Sequence, residues 1–149
     1  MQSGSDCPDA IAYIKGGPGA PCLSGEVRFY QERGCVLVTA NIAGLPQESG
    51  PCFFAFHIHE GGDCSGESFS NTGGHYNPAA NAPHPNHAGD LPPLMVCNGG
   101  AYLAVRTDRF CVRDISGRTV VIHSGPDDFH SQPAGNAGTK IACGVIRRR

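Results

Sequence analysis

Apolar residues in this chain come in short stretches cut off by glycine and proline, and no segment of useful length shows an apolar period of 3.6 residues. That pattern excludes a helical core and predicts strands. Gly25–Gln31 alternates, with Val27 and Phe29 on one face and Arg28 and Tyr30 on the other. Glu-Arg-Gly then makes a hairpin turn into Val36–Ile42. Ala10–Lys15, Phe53–His59, Leu94–Cys97, Ala101–Thr107, Thr119–His123 and Lys140–Ile146 are further strand candidates, with Val112–Asp114 a weaker one. Twenty-one glycines, twelve prolines and no tryptophan suit such a turn-rich all-β chain. The expectation is a Greek-key β-barrel or sandwich formed as one domain over residues 1–149, with 1–9 a flexible N-terminus.

Two long segments do not fit the strand pattern. Residues 60–93 and Ser124–Thr139 are rich in Gly, Ser, Asn, Pro and His. Loops of that length in a compact domain are usually functional. Six of the seven histidines, all but His130, sit where a two-metal site would need them. His57 and His59 are two apart in a strand, so both rings point the same way while Ile58 points oppositely. His75, His84, His87 and Asp90 lie within sixteen residues and offer three imidazoles and a carboxylate, a donor set that tetrahedral zinc accepts. His123 closes the strand Thr119–His123, and Asp127 follows four residues later, where a carboxylate can orient an imidazole or simply shape a turn. Six imidazoles and one aspartate fill two four-ligand sites only if one ring serves both. His130, in a polar loop, reads as solvated.

A net charge of −2 favours neither nucleic acid nor an anionic membrane as partner. No apolar run approaches the roughly 20 residues of a spanning helix. Met-Gln-Ser-Gly-Ser-Asp-Cys-Pro has neither the basic nor the apolar region of a signal peptide. The expectation is a cytoplasmic protein, or a secreted or cell-surface one if a signal has been removed. Eight cysteines without a close pair suggest at least one disulfide rather than a zinc knuckle.

Five blocks then occur in a fixed order: Phe-His-Ile-His-Glu-Gly, Gly-Gly-His-Tyr-Asn-Pro, His-Ala-Gly-Asp-Leu, Val-Ile-His-Ser-Gly-Pro-Asp-Asp and Gly-Asn-Ala-Gly-Thr-Lys-Ile-Ala-Cys-Gly-Val-Ile. Over residues 10–146 the chain resembles the copper/zinc superoxide dismutases of the bacterial type, with short metal and electrostatic loops. The resemblance implies a flattened eight-stranded Greek-key barrel and disproportionation of superoxide to dioxygen and hydrogen peroxide. It implies copper on His57, His59, His75 and His123, and zinc on His75, His84, His87 and Asp90, with His75 as the bridging imidazolate. Asp127 would link a copper histidine to a zinc histidine, and Cys64 would pair with Cys143. Lys140 stands where the eukaryotic enzymes carry an arginine over the copper, so the charge is kept and the planar fork is lost. Ala134 stands where a threonine often narrows the channel. A homodimer and a copper-delivery partner are further expectations.

In the inferred barrel, Cys35 falls near Cys111 and Cys52 near Cys97, two further candidate pairs, while Cys7 and Cys22 lie at opposite ends of the first hairpin. Two rival functions share parts of this pattern. One is a copper- and zinc-binding protein for storage or delivery, without turnover. The other is a cupin-like barrel, which would need Glu60 or Glu67 as a ligand.

Overall fold

A computed structural model describes residues 6–47 and 50–149. Eight strands form one antiparallel sheet: β1 (Ala10–Gly16), β2 (Ser24–Glu32), β3 (Cys35–Ala43), β4 (Phe53–His59), β5 (Asp90–Met95), β6 (Ala101–Thr107), β7 (Thr119–His123) and β8 (Lys140–Arg148). Their order is β5-β4-β7-β8-β1-β2-β3-β6. The two edge strands, β5 and β6, approach each other, so the sheet curls into a nearly closed barrel. The interior holds one residue in two from each strand. Val27 and Phe29 of β2, Val36, Val38, Ala40 and Ile42 of β3, and Phe54 and Phe56 of β4 are all buried.

Three local expectations need correction. β5 begins at Asp90, not Leu94, and runs through Pro92 and Pro93. Proline lacks an N–H for a ladder bond, which masks a strand in the sequence but is tolerated on a sheet edge, where β5 lies. Val112–Asp114 is not a strand: Val112–Ile115 forms a single helical turn, α1, opened by a hydrogen bond from the Cys111 N–H to the Asp114 carboxylate at 2.9 Å. Residues 60–93 are not wholly irregular, since Glu67–Thr72 forms a short 3-10 segment, interrupted at Ser68 and Phe69 by positive φ. Of the N-terminus expected to be flexible, residues 1–5 lie outside the described residues. Asp9 is tied to the sheet, donating its N–H to the Phe29 carbonyl at 2.9 Å and accepting the Gln31 N–H at 2.7 Å.

Cys64 and Cys143 form a disulfide across a Cα separation of 5.8 Å, joining the loop after β4 to β8. The other two candidate pairs are not formed. Phe53 lies opposite Met95 and Phe54 opposite Leu94, so Cys52 comes opposite Val96 rather than Cys97. Neighbouring residues on a strand point to opposite faces, and that one-residue offset separates the thiols. Val36 lies opposite Thr107, and the chain bends before Cys111 at the start of α1. Cys35 instead donates its thiol to the Glu32 carboxylate at 3.3 Å.

Candidate metal centre

The β4 strand presents the first two ligand candidates. His57 and His59 are buried on one face, with Phe56 and Ile58 packed into the barrel behind them. His75 reaches them through the main chain. An isolated antiparallel bridge joins His59 to His75: the Glu60 N–H donates to Gly74 at 2.9 Å and the Tyr76 N–H to Ile58 at 2.8 Å. Farther along the loop, the Gly89 N–H donates to Tyr76, and the Ile58 N–H donates to Gly89. A Cβ on Gly89 would fall 2.3 Å from the Ile58 carbonyl, so only glycine lets the loop close on the strand here. His123, at the end of β7, completes the group.

Two clusters result. One ligand atom each from His57, His59, His75 and His123 lie within 4.8 Å of one another, and so do atoms of His57, His75, His84 and Asp90. His87 borders the second cluster, its Nδ1 lying 3.2 Å from His75 Nδ1 and 3.2 Å from Asp90 Oδ2. His75 belongs to both clusters, with its Nδ1 2.7 Å from Asp90 Oδ1. Asp127 spans the clusters from behind. Its two oxygens accept the Nε2–H groups of His57 at 2.8 Å and His84 at 2.7 Å. His130 is exposed, and no glutamate belongs to either cluster among the described residues. The glutamate that a cupin-like site needs is therefore missing from both.

The hydrogen bonds leave specific atoms for metal. Donation by His57 Nε2 leaves its Nδ1 as a lone pair, and donation by His59 Nδ1 to the Gly73 carbonyl at 2.8 Å leaves its Nε2. His59 Nε2 and His123 Nε2 converge at 3.2 Å. His57 Nδ1 and His75 Nε2 are buried without a hydrogen-bond partner, and His84 Nδ1 lies 3.0 Å from Asp90 Oδ2. Orphaned polar atoms of this kind are costly, and a metal satisfies them. Burial pushes His59 down to about 2 and His123 down to about 3, with the Lys140 charge adding to both effects. Both rings therefore stay neutral, as ligands must be. Burial works against ionised Asp127, yet hydrogen bonds from His57 and His84 outweigh it and hold its pKa below the usual carboxylate range.

Lys140 stands half-buried at the start of β8, and burial lowers its pKa. Its ammonium donates to Thr72 Oγ1 at 2.7 Å and to the Gly73 carbonyl at 3.0 Å. Gly73 therefore accepts from both Lys140 and His59.

Three supporting residues escaped the sequence reading. Gln132 grips the His84 backbone from the opposite loop, accepting its N–H at 2.9 Å and donating to its carbonyl at 2.8 Å. Arg109, beyond β6, donates through Nη1 to the carbonyls of Pro85 at 2.9 Å, His87 at 3.1 Å and Asp90 at 3.4 Å. Gly135, at φ 73°, leaves open the space where a Cβ would fall 2.7 Å from His84 Nε2.

A barrel carrying two adjoining imidazole-rich clusters defines a protein built to hold two metal ions side by side. The copper/zinc superoxide dismutase family model matches residues 23–146, and the chain belongs to that family. Superoxide dismutation, with copper and zinc as cofactors, is the oxidoreductase activity that this membership gives it. The chain is 36% identical to Superoxide dismutase [Cu-Zn] 2 of Aquifex aeolicus, over 83% of this chain and 78% of that protein. It is 33% identical to Superoxide dismutase [Cu-Zn] of Caulobacter vibrioides, over 93% and 85% respectively. The solved Cu/Zn superoxide dismutase from Brucella abortus superposes with a TM-score of 0.77 at 25% identity, covering 91% of this chain and 98% of that one.

Proposed function

We propose that His57, His59, His75 and His123 hold copper, that His75, His84, His87 and Asp90 hold zinc, and that His75 serves both. The observation that carries this assignment is His75 itself: it belongs to both clusters, one nitrogen lies against Asp90 and His87, and the other is buried without a partner. Copper, when bound, supplies the one-electron exchange by which one superoxide becomes dioxygen and a second becomes hydrogen peroxide. Lys140 draws the anion in. An ammonium has three N–H donors, and two are used on Thr72 and Gly73, which leaves one for substrate. His75 holds a proton at Nε2 between the two halves and releases it to the reduced oxygen species, and water supplies the second proton that hydrogen peroxide needs. Asp127 fixes the tautomers of His57 and His84, and so aims a lone pair from each toward its ion.

The proposal extends to two partners. Phe53 and Met95, paired across β4 and β5, are exposed and offer apolar surface to a second copy of the chain. The copper histidines are buried, so loading has to pass ions through the loops, the step that a copper-delivery protein would serve.

The test is metal content and superoxide decay for the wild type and for His75→Ala, each with and without added copper. His75→Ala is expected to lose activity and to disturb both metals, while His130→Ala changes neither. Normal copper and zinc stoichiometry with undiminished activity in His75→Ala would exclude the bridge.

A further inference from the structure

Far from the histidines, the outer face of β8, β1 and β2 carries a concentrated positive charge. Ile11 of β1 lies opposite Arg147 of β8 on one side and opposite Arg28 of β2 on the other. Residues directly opposite across antiparallel strands share a face, so two guanidinium groups flank one isoleucine. Ile11 is only 6% exposed although it points outward, as expected if the arginine stems cover it. Arg148 and Arg149 complete the rim of a cavity of about 370 Å³, and Tyr13 and Val145 form its wall. Four of the chain's eleven basic residues line it, and among the described residues no Asp or Glu side chain does, in a protein of net charge −2.

The nearby acids do not balance this charge. Glu26 pairs with Arg28 at 2.7 Å. Asp9 turns its carboxylate to the Gln31 N–H. Among the described residues, Arg147, Arg148 and Arg149 have no ion-pair partner. The Nε of Arg28 is buried and without a hydrogen-bond partner. Steering of superoxide does not account for the cluster. Arg147 lies seven residues along β8 from Lys140, roughly 23 Å at ~3.3 Å per residue. That is well beyond the Debye length of about 8 Å at physiological salt.

We propose that this cavity binds a small organic phosphomonoester. Among the side chains Glu26 neutralises one of the four arginines, and a phosphate carrying about −1.5 to −2 offsets the remaining positive excess better than a carboxylate. The guanidinium fork matches phosphate oxygens two at a time. The cavity lies at the small end of the range for ligand pockets, about 300–1,000 Å³, and its apolar side suits the organic part of an ester. Tyr13, 70% exposed, offers that part a ring face.

The experiment is a titration of the reduced, metal-loaded protein with phenyl phosphate, inorganic phosphate and a heparin oligosaccharide, followed by backbone amide NMR. Phenyl phosphate should shift the Ile11, Tyr13 and Val145 amides saturably and bind several-fold more tightly than inorganic phosphate. Arg147→Ala should weaken it about tenfold. Arg147→Lys should recover only part of that loss, because the charge returns without the fork. Arg113→Ala, at an exposed arginine elsewhere, should leave binding unchanged, and superoxide turnover should be the same in all three variants. Absence of saturation, equal affinity for inorganic phosphate, or indifference to Arg147→Ala would overturn the proposal. Heparin binding through these arginines without phenyl phosphate binding would overturn it in favour of a polymer-binding face.

Discussion

Lys140 is both a charge and a strut. Its ammonium is hooked to Thr72 and Gly73, and the Gly73 carbonyl also receives the Nδ1–H of His59. Substitutions should therefore separate two effects. Lys140→Glu should slow superoxide decay, most strongly at low ionic strength, since it repels the anion and surface fields are screened by salt. Lys140→Arg should keep or raise kcat/KM with metal content unchanged. Rates measured across a salt series check both, and an unchanged low-salt rate for the Glu variant would remove Lys140 from the path of the substrate. The positions of His57 and His59 are legible from the sequence because a strand's period of two leaves little freedom. Gln132, Arg109 and Gly135 are not legible. The first two act on backbone carbonyls or amides of another segment, and the third acts by lacking a Cβ, so no residue pattern marks them.

At the scale of elements, the metal loop is held by what surrounds it more than by structure of its own. Arg109 gathers three of its carbonyls from beyond β6. Arg109→Ala should lower zinc affinity by roughly 10- to 100-fold, the usual cost of losing support behind metal ligands. It should also speed amide exchange across residues 84–90, while circular dichroism of the barrel stays unchanged. Zinc affinity equal to wild type would show the clamp to be idle. The Cys64–Cys143 bond closes a separation of 79 residues and fastens the start of the same loop to β8. Cys64→Ala with Cys143→Ala should cost about 2–4 kcal/mol of stability, read from urea unfolding. The strands of this frame follow from alternation and turn residues. β5 does not, because Pro92 and Pro93 look like a break until the sheet shows them on an edge.

For the molecule as a whole, the buried histidines set its response to acid. His59 and His123 are held far below the ordinary histidine value, chiefly by burial. Between that depressed range and about pH 6.5, the unfolded chain binds protons that the folded chain refuses. Stability of the metal-free protein should therefore fall as pH drops from about 6.5 toward 3, with the loss of ionised Asp127 acting in the same direction at the low end. Thermal unfolding across that range is the measurement, and a flat profile would contradict the burial argument. On β4, His57 and His59 point away from the face that Phe54, Phe56 and Ile58 turn into the apolar interior. Inheritance of the frame is thus separable from inheritance of the chemistry. A lineage carrying this barrel can discard a ligand, or recruit a new one, without first rebuilding its core, so the fold can persist where the reaction has lapsed.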